Sequence, residues 1–203
     1  MQVGYSIQQR LFMIPPLHFL HQRRSSINSI TTTLTTDSYT SSSSHKPSFN
    51  MGFTGVGIYE IRPFQAPDLN LNAWEGQLEP GAVVRTYTRG DKISSNAQWQ
   101  LAHVAGSGDS AEYLIINNRS GFFLTGTNDN TIASTPQISP ADPTAHWIIK
   151  SAKTGQYDVY TINNKVSSRG QLSVKGSANQ SGADIQSATT SNADNQKWYF
   201  EPQ

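Results

Sequence analysis

From residue 52 onward, hydrophobic and polar residues alternate in short runs rather than along long helical faces. The runs are rich in β-branched and aromatic residues, and clusters of Gly, Pro, Asn and Asp separate them at short intervals. No segment in this range has the 3.6-residue periodicity of a long amphipathic helix. The pattern predicts an all-β barrel or sandwich.

Three tryptophans occur at nearly equal spacing in this region. Trp99, Trp147 and Trp198 are 48 and 51 residues apart. A strand ending in Asn-Asn, a turn and a second strand precede the last two, at 113–124 and 159–172. A residue that recurs at such a period indicates a repeated supersecondary unit.

The first copy of the unit differs slightly, because Pro63 stands where the other copies have Asn. Each copy also contains a predicted third strand, at 82–87, 131–135 and 183–187. Three units of about four strands each predict a closed threefold barrel without long exposed sheet edges. We expect the three tryptophans to fill its core.

These units resemble the repeats of the ricin-B type (R-type) lectins, β-trefoil proteins with a Gln-x-Trp motif in each lobe. Gln196-Lys-Trp198 matches the motif in full, whereas the first two lobes have Ala at the Gln position. The resemblance to fungal agglutinins of this family is closer still. It is carried by the segments 51–61, 69–76, 81–91 and 194–200. It covers 51–203 and implies a β-trefoil lectin domain with lobes at about 51–103, 104–152 and 153–203.

Residues 1–50 differ in kind from the rest. Ser and Thr dominate from Ser25 to Ser44, with no periodic apolar face, so we expect a disordered extension. The apolar run 11–20 is too short to span a membrane and contains Pro15 and Pro16. The alternatives are that Met51 is the real start, that the segment is a targeting signal, or that it is a solvated tail.

The resemblance also implies a sugar site in the first lobe. R-type lectins bind galactose-type sugars with an acidic residue after the second strand's Leu, an aromatic in the third strand and an Asn before the Trp. In the first lobe the corresponding residues are Asn70, Tyr87 and Asn96. Asn70 replaces the family's Asp, and an amide lacks the charge-assisted acceptance of a carboxylate, so we expect weaker binding. Asn96 would both donate to and accept from a hydroxyl.

Neighbouring residues are candidates to compensate for the missing carboxylate. They are Glu75, Arg85 and Arg89, although charged residues in such places are most often solvated. Trp74 is either a plug for the barrel mouth or a second wall of the site. Tyr87 could instead be a surface tyrosine, and Asn70 and Asn72 could be turn formers.

The other lobes lack these groups. The acidic position becomes Thr125 and Ser173, and the aromatic position becomes Thr135 and Ala188. Asn195 is present in the third lobe, where it is better explained as part of the turn before Trp198. The sequence therefore predicts one binding site for galactose or N-acetylgalactosamine, in the first lobe.

Two other functional classes fit these residues less well. An enzyme is not expected, because no phosphate loop, Gly-x-Ser-x-Gly or metal motif occurs and no motif pairs two carboxylates. The alternative is a β-trefoil protease inhibitor or other protein-binding trefoil, for which the loop 106–110 would be the contact. Such proteins share the barrel but lack the aromatic and amide groups of the first lobe.

The amino-acid composition excludes several kinds of site and leaves others open. The chain has no cysteine, which excludes disulfides and thiolate metal sites and is compatible with a cytoplasmic location. The net charge is +1, but residues 51–203 hold eleven basic and thirteen acidic side chains, so no basic surface for nucleic acid is expected. We expect no cofactor, metal or membrane insertion; secretion or an organellar location stays open. The resemblance implies a homodimer.

Overall fold

The computed structural model describes residues 52–126, 132–135 and 138–203, with the backbone alone at 132–135. The predicted N-terminal extension lies outside the described residues. Twelve β-strands and no α-helix occur in the described part of the chain. The strands are β1 (Gly57–Pro63), β2 (Leu69–Ala73), β3 (Ala82–Thr88), β4 (Gln98–Ala105), β5 (Glu112–Asn117), β6 (Phe123–Gly126), β7 (Ile132–Thr135), β8 (His146–Ser151), β9 (Tyr160–Asn164), β10 (Gln171–Val174), β11 (Ile185–Ala188) and β12 (Trp198–Pro202).

Short 3₁₀ turns connect several strands. They are Trp74–Gly76, Ser95–Ala97, Gly108–Ser110, Pro143–Ala145, Ser167–Arg169, Lys175–Ser177 and Asp194–Gln196. None of the helices in the described ranges has the length and apolar character needed to cross a bilayer.

Six strands close into a barrel. Antiparallel pairing runs from β1 to β4, β5, β8, β9 and β12 and returns to β1. The other six strands form three hairpins, β2–β3, β6–β7 and β10–β11, which cover one end of the barrel. This is the architecture of a β-trefoil, and it confirms the predicted fold class.

Each predicted tryptophan is fully buried and joins a hairpin to the barrel. The indole N–H groups of Trp99, Trp147 and Trp198 donate to the main-chain carbonyls of the hairpin leucines, Leu71, Leu124 and Leu172, at 2.9, 2.7 and 3.2 Å. A buried indole needs such a partner. The bonds also establish which residues are equivalent in the three lobes.

An aromatic cluster fills the barrel near the start of β1. The ring of Phe53 lies 5.2 to 6.0 Å from the ring centroids of four neighbours, Tyr59, Tyr113, Tyr160 and Phe200. These residues come from four different strands of the barrel, so Phe53 packs against most of its circumference.

The third strands differ slightly from the expectation. The last begins at Ile185 instead of 183, because Asp184 pairs with Arg85 of β3 in an isolated bridge. In the second lobe β7 spans Ile132–Thr135, and residue 131 lies outside the described residues. The domain and lobe boundaries given above stay predictions.

Candidate functional site

The hairpin of β2 and β3 presents four side chains on one face. Its register places Asn70 opposite Tyr87 and Asn72 opposite Arg85. Because side chains alternate along a strand, the intervening residues, Leu71 among them, face the core. Asn70 and Asn72 lie inside β2, which contradicts their interpretation as turn formers.

A pocket of 460 Å³ opens over this face, between the hairpin and the segment that follows β3. We call it the first-lobe pocket. Its lining comprises Asn70, Asn72, Trp74, Glu75, Tyr87, Thr88, Gly90, Lys92, Ile93, Ser94 and Asn96. Five of the six predicted site residues are in this set, and Arg85 is the exception.

Two aromatic rings form one side of the first-lobe pocket. Trp74 and Tyr87 meet edge to face, with ring centroids 6.1 Å apart and an interplanar angle of 70°. Tyr87 is 51% exposed and lines the pocket, so part of its ring is accessible to a ligand. Trp74 is half-buried, and Gly182 of the third lobe lies beside its ring.

Arg85 supports Trp74 from the side instead of lining the pocket. Its guanidinium carbon lies 5.1 Å from the centroid of the Trp74 ring, and its Nε donates to Asp184 Oδ1 at 2.9 Å. A cation held over an indole face restrains the ring. Arg85 is therefore positioned to orient the aromatic wall.

A buried ionic network lies beneath the pocket. Asn70 Nδ2 donates to Glu60 Oε1 at 2.9 Å, and Glu60 also accepts from Arg89 Nε at 2.9 Å. Arg89 further pairs with Glu201, and the hydrogen bond to Glu60 is the main reason that the pKa of Arg89 is raised. Asn70 Oδ1 is buried and accepts from no described residue. Arg89 therefore forms ion pairs with Glu60 and Glu201 and does not line the pocket.

Asn96 is held by its amide nitrogen. Its Nδ2 donates to Asn72 Oδ1 at 3.0 Å and to the carbonyl of Ala73 at 3.2 Å. An amide nitrogen carries two hydrogens, so both are used. The expected double role of Asn96 toward a hydroxyl is therefore wrong, and only its Oδ1 is left for a ligand.

The third lobe contains the same arrangement. Asn195 Nδ2 donates to Ser173 Oγ and to the carbonyl of Val174, both at 3.0 Å. Asn195 therefore ties the turn before Trp198 to its hairpin. The matching bonds make Asn72 the counterpart of Ser173.

This equivalence corrects the alignment of the lobes. The tryptophan bonds pair Leu71 with Leu124 and Leu172, so the residue after each, Asn72, Thr125 and Ser173, holds the family's acidic position. Asn70 lies two residues earlier on the same face. The alignment by Leu69 was wrong because β2 contains two leucines at alternate positions. The aromatic position is unchanged, since Asn70 pairs with Tyr87 as Gln171 pairs with Ala188.

Glu75 adopts a backbone conformation that is unusual for a residue with a side chain. Its φ is 55° and its side chain is exposed at the pocket edge. The equivalent residue of the third lobe is Gly176, with φ 63°. A non-glycine residue in the left-handed region indicates local strain, which is common at functional sites.

The sequence interpretation missed the wall opposite the aromatic rings. This wall is the segment after β3, which contributes Gly90, Lys92, Ile93 and Ser94. The segment has no regular pattern or motif, so no sequence signal marked it. It is kept in place by a hydrogen bond from Arg89 N to the carbonyl of Asp68 at 3.0 Å.

The barrel, the hairpin caps and the three buried tryptophans define a β-trefoil, and comparison with known proteins gives its family. The chain belongs to the ricin-type β-trefoil lectin family, whose "Ricin-type beta-trefoil lectin domain-like" model matches residues 95–188. Within this family of non-enzymatic carbohydrate-binding proteins, the chain is similar to the agglutinin of Sclerotinia sclerotiorum. The two are 72% identical over 151 residues, a match covering 74% of this chain and 99% of the relative.

Solved structures show the same fold at lower identity. The agglutinin of Rhizoctonia solani aligns with a TM-score of 0.60 and 20% identity, over 74% of this chain and 98% of its own. The C-half of an earthworm R-type lectin, solved in complex with GalNAc, aligns with a TM-score of 0.53 and 19% identity, over 72% and 99% of the two chains. The chain is thus a carbohydrate-binding lectin by family and a β-trefoil by fold.

Proposed function

We propose that the first-lobe pocket binds terminal galactose or N-acetylgalactosamine on glycans, and that it is the binding site of the chain. The observation that carries the proposal is the open face of Tyr87 beside a floor of amide side chains. Galactose has an apolar patch on one face of its ring and hydroxyls at its edge. An aromatic ring with amide groups beside it complements both.

Charged groups extend this complementarity. Glu75 lies at the pocket edge with an exposed carboxylate, and Lys92 is exposed on the opposite wall. Both can form hydrogen bonds with hydroxyls that project from the pocket. The GalNAc named for the earthworm lectin supports the choice of sugar class for this chain.

The expected affinity is modest. One aromatic stack and a few hydrogen bonds, each worth about 1 kcal/mol net, correspond to a dissociation constant on the order of 0.1 to 1 mM. Two sites on a homodimer would convert this weak binding into avidity for a glycan-coated surface. We therefore include a homodimer in the proposal. A cytoplasmic location is also proposed, because a chain without cysteine suits a reducing compartment.

Calorimetric titration with N-acetylgalactosamine tests the proposed site. We expect saturable heat with the full chain, no heat with mannose, and at least a tenfold loss of affinity in Tyr87→Ala, about 1.4 kcal/mol or more. Removing the ring eliminates the stacking surface while leaving the amides in place.

Tyr157→Ala is the matched control, because Tyr157 is also an exposed tyrosine, 47% accessible, but lies outside the pocket lining. It should bind like the wild type. Equal loss in both variants would indicate a general structural effect and contradict the site. No heat from the folded wild type would contradict the sugar assignment and favour the protein-binding alternative.

A further inference from the structure

The two amides at the centre of the pocket have a fixed direction. A main-chain carbonyl only accepts hydrogen bonds, so the group that faces the carbonyl of Ala73 at 3.2 Å must be the Nδ2 of Asn96. The second hydrogen on this nitrogen points to Asn72 Oδ1 at 3.0 Å. One backbone carbonyl therefore sets the orientation of both side chains.

The third lobe supports this orientation independently. Asn195 makes the same pair of contacts, to the carbonyl of Val174 and to Ser173 Oγ. The same bond to a hairpin carbonyl thus holds an asparagine in both lobes, one with the pocket and one without its aromatic group. The orientation of Asn96 therefore comes from the fold and does not need a ligand.

What remains unpaired is a donor on Asn72 and an acceptor on Asn96. Asn72 Nδ2 donates to no described residue, and Asn72 lines the pocket. A donor that lines a pocket and has no partner among the described residues can donate to an oxygen of the ligand. A carboxylate in the same place would only accept.

We propose that Asn72 is a specificity-determining hydrogen-bond donor, which lets the pocket accept a galactoside whose oxygen at that point carries no hydrogen. Such an oxygen belongs to an ether, as in an O-methylated sugar or a sugar linked onward through that position. A site with Asp at this position requires a hydroxyl that donates. The inference rests on the proposed function of the same pocket.

The test compares wild type and Asn72→Asp with methyl galactoside and its monodeoxyfluoro analogues at each ring position. Fluorine cannot donate a hydrogen bond. We expect one analogue to bind wild type within about threefold of the parent sugar and to bind Asn72→Asp at least tenfold more weakly than the parent. The reason is that a carboxylate repels fluorine, whereas an amide N–H does not. The matching O-methyl sugar should show the same difference.

Asn72→Ser provides a second variant, because Ser173 already occupies the equivalent position in the third lobe and accepts from Asn195. It keeps the bond to Asn96 and replaces the amide donor with a shorter hydroxyl, which in the third lobe donates to the carbonyl of Val174. We expect the parent sugar to bind it about 3- to 10-fold more weakly than wild type.

A readout without sugar separates the two proposals. In NMR spectra of the full chain, the side-chain amide hydrogens of Asn96 should exchange slowly and those of Asn72 quickly; the opposite order would overturn the inference. Binding of the parent sugar with the same fluorine penalties in wild type and Asn72→Asp would also overturn it and leave the proposed function intact. No binding of the parent sugar by wild type would overturn both.

Discussion

Glu75 combines backbone strain with a position at the pocket edge. Its φ of 55° costs a residue with a side chain about 1 kcal/mol relative to glycine, and the third lobe has Gly176 at this place. A glycine here would serve the fold better. The proposed function gives the charged side chain of Glu75 a role at the pocket edge, and this role can be tested separately from its effect on stability.

Glu75→Gly should raise the free energy of unfolding by about 1 kcal/mol and weaken sugar binding several-fold. Urea unfolding and calorimetric titration measure the two effects. Ser177→Gly is the matched control, because Ser177 has a φ of 53° in the equivalent turn of the third lobe. It should gain stability without losing affinity. If Glu75→Gly binds sugar like the wild type, its carboxylate is not a ligand group.

At the scale of strands, one carboxylate joins three elements of the second and third lobes. Glu112 of β5 accepts from Lys165, just after β9, and from His146 Nδ1 of β8 at 3.0 Å. These two hydrogen bonds, that of Lys165 first, lower the pKa of Glu112. The ionised form is therefore favoured in the folded state.

The lowered pKa of Glu112 makes the stability of the fold depend on pH in a definite direction. A lowered carboxyl pKa stabilises the fold above the unfolded value of about 4.3 and loses this effect as the pH falls through the folded value. Glu112→Gln should therefore reduce the free energy of unfolding by about 1 kcal/mol at pH 7. The effect is no larger because Lys165 is partly exposed and solvent screens its charge. The difference from wild type should shrink by about pH 3.

Urea unfolding at the two pH values measures this difference. Glu79→Gln is the control, because Glu79 is exposed and forms no ion pair with a described residue. It should match wild type at both pH values. A Glu112→Gln deficit that is the same at pH 3 and pH 7 would show that packing, and not charge, accounts for the loss.

The elements themselves were largely predictable. Strand alternation and the tryptophan period predicted the all-β fold, because both follow from short-range patterns that the barrel repeats three times. The alignment of β2 with the equivalent strands of the other lobes was harder to predict, because Leu69 and Leu71 are both candidates for the leucine that the tryptophan contacts. Only the hydrogen bond from Trp99 to Leu71 identifies the right one. Partners distant in sequence, such as Glu112 and His146, had no local signal.

The pocket was predictable where the family resemblance provided residue types, as at Tyr87 and Asn96. The direction of the amides was not, because it depends on which nitrogen meets the carbonyl of Ala73. The wall after β3 was not predictable either, as it is irregular in sequence and shaped by its anchor at Asp68.

For the whole molecule, the proposed homodimer predicts a mass of twice 22.3 kDa in sedimentation equilibrium of the full chain. Galactose-coated beads should be agglutinated by wild type at concentrations well below the monovalent dissociation constant, because two sites bind together. Tyr87→Ala should keep the dimer mass and lose agglutination. A monomer at the concentration that agglutinates beads would contradict this explanation of avidity.

The distribution of tryptophans has a spectroscopic consequence. All four tryptophans of the chain lie in the described residues; Trp99, Trp147 and Trp198 are fully buried, whereas Trp74 is half-buried beside the ring of Tyr87 in the first-lobe pocket. The emission spectrum therefore combines three fluorophores of the core with one that lines the first-lobe pocket. If the pocket binds sugar as proposed, intrinsic fluorescence should distinguish ligand binding from unfolding without any added label.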